Sequence, residues 1–179
     1  MSLKASNGYI LPTVTNTYNV YHKGKGLIGL SSEITLPDFT AITEEMSGSG
    51  LLGKIQEAVM GHFDSQEMEI PFLNLDNDIF SFADPLEVID LNLRASQQNL
   101  NRKEGSAGYR GLRVAVRGKL KSFKPGVLKQ GGLMNASITL ELHYILIEID
   151  GETQLELDKL NSVYRVGGKD IMEEMRKYC

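Results

Sequence analysis

Three histidines, His22, His62 and His143, are the residues of this sequence best suited to proton transfer or metal binding. They lie far apart along the chain. His143 has an acidic companion, Glu141, at the two-residue spacing that shares one face of a strand. Two ligands do not make a metal site, which needs three or four donors around the ion. The glycine-rich run Ser47, Gly48, Ser49, Gly50, Leu51, Leu52, Gly53 lacks the Lys-Ser/Thr ending of a phosphate-cradling loop. Asp76-Asn77-Asp78 opens like a calcium loop, but the glycine is missing from its offset, so it reads as turn chemistry. Cys179, the only cysteine, closes no intramolecular disulfide. No arrangement of nucleophile, base and anion-stabilising donors emerges, and the sequence points to a non-enzymatic protein without metal or cofactor.

A basic stripe, Arg113, Arg117, Lys119 and Lys121, is the remaining candidate for chemistry, as a nucleic-acid surface. It has no interleaved aromatics on which bases would stack. The whole chain is acidic, with a formal net charge of −4 over 179 residues, where a dedicated nucleic-acid binder shows a basic excess. Acids at Glu67, Glu69, Asp90, Glu141, Glu156 and Asp158 are available to pair with the stripe across strands, a normal device of sheet stability.

These residues must be positioned by strands. Most of the sequence alternates with a period of two, the spacing that puts successive side chains on opposite sheet faces. Residues 18–22 predict a short strand, Gly24-Lys25-Gly26 a hairpin turn, and residues 27–36 a return strand ending at Pro37. Further strands are expected over 64–72, 86–94 and 110–123. The stretch 39–63 reads as a long loop excursion, 74–85 as loop with a helical turn, and 95–109 as a polar loop. From 133 to 149, Met134, Ala136, Ile138, Leu140, Leu142, Tyr144 and Leu146 line one face, against Asn135, Ser137, Thr139, Glu141 and His143. Asp150-Gly151 is a strong hairpin signal, 153–164 the returning strand, and Asp170 a plausible N-cap for a short helix. The chain thus reads as a single domain over 1–179. It has an N-terminal arm (1–14), the excursion at 39–63 and a short helix within 169–178. No apolar run is long enough to span a bilayer and residues 1–9 lack the features of a secretory leader. We therefore expect no stable membrane association.

The strand at 133–149 is unusual in length. At ~3.3 Å per residue it reaches roughly 55 Å, against the ~5–6 residues of an ordinary strand. Such a ribbon is expected to bend, protrude, or find hydrogen-bond partners on another chain. Ile145, Ile147 and Ile149 also turn its far face apolar, which suggests burial on both sides.

Several segments, taken in order, resemble the tail tube family of contractile phages and R-type bacteriocins. They are Thr15-Asn16-Thr17 before a glycine hairpin, Ile34-Thr35-Leu36-Pro37 with Phe39, and Arg117-Gly118-Lys119-Leu120-Lys121 with Pro125-Gly126. Then come His143-Tyr144 to Asp150-Gly151 with Leu157-Asp158, Asn161 and Val163, and finally Gly167-Gly168-Lys169-Asp170 before Arg176. The resemblance implies a mainly β fold, a β-sandwich or barrel with long hairpins and one short C-terminal helix. It implies hexameric rings whose strands join into a ring-wide barrel, stacked into a hollow conduit. It also implies a sheath that drives the tube through an envelope, with tape measure, baseplate and tail terminator proteins as further partners. DNA would pass transiently through the lumen of a phage tube; in a bacteriocin the target membrane depolarises. The particle would be a virion tail or bacteriocin, assembled in the bacterial cytoplasm.

On that reading Glu67, Glu69, Arg113, Arg117, Lys119, Asn135, Ser137, Thr139, Glu141 and Glu156 are expected to face the lumen, because Leu112, Val114, Val116, Ile138, Leu140 and Leu142 must face the core. The run from Ser47 to Gly53 is expected to reach a neighbouring subunit or ring. The competing readings are the tube of type VI secretion or another contractile injection system and, from a different class, a monomeric β-barrel that binds a small ligand.

Overall fold

A computed structural model describes residues 9–178. The alternation becomes strands β1 (Ile10–His22), β2 (Lys25–Gly26), β3 (Ala41–Met46), β4 (Ile55–Phe63), β5 (Glu67–Phe72), β6 (Ile89–Asn101) and β7 (Ala107–Lys124). After them come β8 (Ala136–Ile149), β9 (Glu152–Asp158), β10 (Val163–Val166) and β11 (Lys169–Asp170). Helices α1 (Asn77–Phe80) and α2 (Glu173–Arg176) are each a single turn. The order across the main antiparallel sheet is β11-β10-β9-β8-β7-β6-β1-β2, with β5 also paired to β8, while β3 and β4 form a separate hairpin. The fold is mainly β, with long hairpins and a short C-terminal helix, as expected.

Strand β8 organises the packing. Its residues Ala136, Ile138, Leu140 and Leu142 are buried to within 1% of complete exclusion from solvent. They meet Met68 and Ile70 of β5, Leu91 of β6 and Val116 of β7 in one core. Asp76 accepts a hydrogen bond from the Asn77 N–H and starts α1, whose Ile79, with Phe82 just beyond, plugs that core. Thus Asp76-Asn77-Asp78 is indeed turn chemistry, used as a helix cap.

The alternation of β8 slips once. Gly118 of β7 faces Leu142 and Arg117 faces Tyr144, so His143 is left over in a bulge. An extra residue reverses which positions face inward. Ile145 therefore joins the core, whereas Tyr144 and Leu146 move to the polar face, contrary to the face assigned to them from sequence. The apolar turn at Ile145, Ile147 and Ile149 is this change of phase, not burial on both sides.

The long ribbon does not require another chain. Strand β7 runs along one edge of β8. The other edge is shared, with β5 covering Ala136 to Glu141 and β9 covering Tyr144 to Ile149. Two shorter strands end to end complete what a single long neighbour would. Asp150 and Gly151 both have positive φ, 51° and 80°, and turn β8 into β9 as the sequence indicates.

Other boundaries shift. Residues 39–63 are not a loop excursion: β3 and β4 pair from Met46↔Ile55 to Thr43↔Ala58 and again, after a register shift, at Ala41↔Phe63. Residues 95–109 are largely strand, because β6 and β7 remain paired as far as Leu100↔Ala107. Residues 27–36 make only an isolated bridge, Leu30↔Phe72, though Leu27, Leu30 and Ile34 pack on the core. The first hairpin turns at Lys23-Gly24, both with positive φ, one residue earlier than expected. Of the N-terminal arm assigned to 1–14, residues 10–14 belong to β1 and residues 1–8 lie outside the described residues. At the other terminus Asp170 sits in β11. Its carboxylate accepts from the Met172 N–H at 3.0 Å, and α2 begins later than the sequence suggested, with Met172 at its N-cap position.

Candidate functional site

Directly opposed residues of an antiparallel pair project from the same face, so the register defines the surface opposite the core. One row crosses Arg94, Arg113 and Glu148. The next crosses Tyr21, Asn92, Ala115, Leu146, Glu156 and Arg165. A third holds Asp90, Arg117, Tyr144 and Asp158. Beyond the bulge come Lys119, Glu141 and Glu67, then Ser122, Thr139 and Glu69, then Lys124 and Ser137. The structure therefore gathers Glu67, Glu69, Arg113, Arg117, Lys119, Ser137, Thr139, Glu141 and Glu156 on one face. Asn135 is separate. With φ at 53° it forms the turn before β8, and its N–H donates to the Leu73 carbonyl at 3.0 Å.

Three of the four residues of the basic stripe are neutralised in place. Lys121 Nζ lies 2.6 Å from Glu67 Oε1 and 3.2 Å from Glu141 Oε2. Arg113 pairs with Glu148 at 2.9 Å, Arg117 with Asp90 at 3.1 Å and Lys124 with Glu69 at 3.3 Å. Arg165 pairs with Glu156 at 2.9 Å. The Arg117 guanidinium also covers the Tyr144 ring at 4.5 Å, occupying the aromatic that could otherwise stack on a base. Each exposed pair stabilises the fold by only about 0–1 kcal/mol. Together they offset most of the positive charge of this face. Lys119 has no carboxylate within 4.0 Å among the described residues.

Local geometry tunes two of the acids. The Ser137 hydroxyl donates to Glu69 Oε1 at 2.6 Å, and this bond, with Lys124, holds the Glu69 carboxyl below its ordinary range despite partial burial. Burial pushes Glu141 upward, but hydrogen bonds from Ser65 and Lys121 outweigh it, so its carboxyl is also lowered. Both remain charged at neutral pH. Tyr144, Glu148, Lys124 and Arg165 belong to this face and were not selected from sequence. The bulge hides Tyr144 and Glu148. The pairing of β5 with the first half of β8 brings Lys124 near Glu69, which no local pattern announces.

Two further features stand apart from the polar face. The outer edge of β1 is paired with β2 only at Tyr21 and His22, leaving residues 10–19 with no strand on that side among the described residues. This edge carries no charged side chain between Ile10 and Asn19, unlike the charged edges by which sheets discourage pairing; its protection is limited to Pro12 and two register shifts. The second feature is the β3–β4 hairpin, hereafter the arm. Phe63 fixes its base between Phe39 and Tyr164, with ring centroids 5.9 and 5.1 Å away. Gly61 (φ 76°) leaves room there for the Met172 sulfur, which a Cβ would strike. Beyond that base Ile42, Met46, Leu51, Leu52, Ile55 and Met60 are all exposed. The tip, Ser47 to Gly53, bends through Gly50 and Gly53, both at positive φ, and Lys54 pairs with Glu45 at 2.7 Å.

His22, His62 and His143 do not converge with acids. His22 Nδ1 is 2.9 Å from the Asp90 carbonyl. Among the described residues no three His, Cys, Asp or Glu side chains form a metal-binding group.

Comparison with known proteins fits this arrangement. The chain is 24% identical over 170 residues to the tail tube protein of Escherichia phage P2, covering 93% of this chain and 96% of that protein. It is 24% identical over 166 residues to the major tail tube protein of Serratia phage KSP20, covering 90% and 91% respectively. In fold it is similar to a chain from the sheath/tube terminator of PVC, an extracellular contractile injection system, in the extended state. That match has a TM-score of 0.52 and 12% identity, over 77% of this chain and 97% of that one. The model of the family described as phage tail tube protein FII matches residues 12–178, and with this span covering nearly every element described above, the chain belongs to that family.

Proposed function

We propose that six copies of this chain close into a ring, and that rings stack into the tube of a contractile tail, with the polar sheet face lining the lumen. The observation that carries the reading is the pairing of every arginine and lysine of that face, apart from Arg94 and Lys119, with a carboxylate. A conduit for a polyanion needs a wetted wall that does not grip phosphates, because each phosphate contact adds affinity. The neutralised face meets that need; a bare stripe of Arg113, Arg117, Lys121 and Lys124 would not.

The uncharged outer edge of β1 supplies backbone donors and acceptors for joining copies, and the arm supplies a projection between subunits or rings. The outside of the tube would meet the sheath, and its ends the baseplate and terminator, with a tape measure protein setting length inside. The particle is then a virion tail or a bacteriocin, assembled in the host cytoplasm. The passenger is phage DNA in the first case; in the second, the open lumen depolarises the target.

Negative-stain microscopy of the concentrated chain, alone and with baseplate, tests the reading: rings or tubes are expected. In particles, Glu67→Lys with Glu141→Lys should leave tubes intact and slow release of DNA, more so at low salt. Unchanged release at every ionic strength would remove these residues from the lumen.

A further inference from the structure

The arm has an unsatisfied face. Glu44 of β3 lies directly opposite Glu57 of β4, and the next pair on that face is Met46 with Ile55. Like charges directly opposed destabilise a ribbon, and no cation lies within 4.0 Å of either glutamate among the described residues; Lys54 is engaged by Glu45. The arm thus presents an acidic pair, then an apolar pair, then a fully exposed Leu52 at the tip. Nothing among the described residues of the chain covers this series.

A complementary series runs along β1. Where the apolar sheet face emerges from the core, Leu93, Leu112 and Val114 floor a recess of about 150 Å³ walled by Tyr18, Ile34 and Leu36. A wider groove of about 480 Å³ adjoins it, beside residues 15–20 at the unpaired edge. Beyond the N-terminal end of β1 is the β6–β7 turn, whose Arg102 N–H donates to the Tyr9 carbonyl at 2.7 Å. Arg102 and Lys103 have no carboxylate within 4.0 Å among the described residues. Apolar recess, open strand edge and basic turn follow one another in the order of Leu52, β4 and the glutamates.

The spacings agree. Leu52 and Glu57 are five residues apart, as are Thr15 at the recess and Ile10 at the basic turn; Leu52 precedes β4 and a register shift lies between Pro12 and Thr15, so each span reaches at most about 16 Å. With Leu52 in the recess, β4 runs antiparallel to β1. Its outer edge then meets the unpaired one, and Glu57 with Glu44 comes beside Arg102 and Lys103.

We propose that the arm of one copy docks on the β1 groove of another. Leu52 fills the recess, β4 extends the sheet beyond β1, and the Glu44–Glu57 pair is neutralised by Arg102 and Lys103. The inference rests on self-assembly as proposed above and names the surface that receives the arm.

Charge exchange tests it. One variant carries Glu44→Lys and Glu57→Lys, the other Arg102→Glu and Lys103→Glu. Each alone should need at least ten-fold more protein to assemble than the unaltered chain, and an equimolar mixture should assemble at the normal concentration, because every arm then finds an opposite groove. Normal assembly of either variant alone, or no recovery on mixing, overturns the contact. A second measurement leaves all charges in place. Two Cys179→Ser chains, one with Leu52→Cys and one with Ile34→Cys, are assembled together and oxidised. A disulfide-linked heterodimer is expected; assemblies without it overturn the proposal even if a charge variant fails to fold. Tubes of unaltered chain accompanied by negative results in both tests reject only this contact, whereas an unaltered chain that never self-associates rejects the tube reading with it.

Discussion

Replacing Gly118 with alanine probes the bulge that organises the central ribbon. Gly118 is buried on β7 beside the point where β8 gains its extra residue. An added Cβ would lie 2.4 Å from the Glu141 carbonyl oxygen and 3.0 Å from a Leu142 methyl. A carbon and an oxygen approach comfortably to about 3.2 Å, so the two strands must separate by roughly 0.8 Å at this point. The obstruction is backbone, which cannot rotate away. Overpacking of this kind costs about 1–3 kcal/mol, and each strained ladder hydrogen bond about 1 kcal/mol more. The expected loss is about 2–4 kcal/mol, a fall in Tm of about 5–15 °C for a chain of this size. Gly111 on the same strand is the control, since nothing lies within 4 Å of a Cβ built there. Gly111→Ala should be neutral, or stabilising by about 0.4–1 kcal/mol through the unfolded chain. Urea unfolding by circular dichroism, at concentrations where the chain is monomeric, separates the two. Coincident transitions for both variants would refute the reasoning about the bulge.

Three further outcomes are expected. Glu69 and Glu141 have folded-state pKa values below the ordinary 4.5, so their stabilising contribution is complete above that pH and is lost as pH falls through the lowered values; Ser137→Ala should reduce this acid sensitivity in pH-dependent thermal melts. Leu140→Ala removes a side chain with no solvent exposure and should cost about 2–5 kcal/mol, read from the urea midpoint. Phe63→Ala deletes the aromatic wedge at the base of the arm, so trypsin should cut faster at Lys54, measured by mass spectrometry, while far-ultraviolet dichroism stays unchanged.

Strand β8 was legible from sequence because Ala136 to Leu142 alternate against a single core. The phase change at His143 was not, since nothing in His143-Tyr144-Ile145 marks which residue is extra until β7 is laid beside it. The arm escaped detection for a different reason. Both of its faces are exposed, so Glu44, Glu45 and Glu57 fall among Ile42, Met46 and Ile55 without the inside–outside contrast that reveals a strand. Ser96-Gln97-Gln98-Asn99 likewise reads as loop, yet is strand because β1 and β7 flank it. The polar face was largely recoverable from the requirement that Val114, Val116, Ile138 and Leu140 face inward. Its ion pairs were not, because Lys121 with Glu67 and Lys124 with Glu69 join elements more than fifty positions apart. Length led the reading of β8 towards partners on other chains, whereas β5 and β9 share its free edge.

That sharing separates two events in the life of the subunit. A chain whose central hydrogen bonds are all made at home needs no companion in order to become folded, and can accumulate in a cell as a finished, dormant part. On the proposed docking, growth of a filament would be decided by when an arm first meets a groove. Surplus subunits would then stay folded while they wait, since assembly and folding draw on different hydrogen bonds.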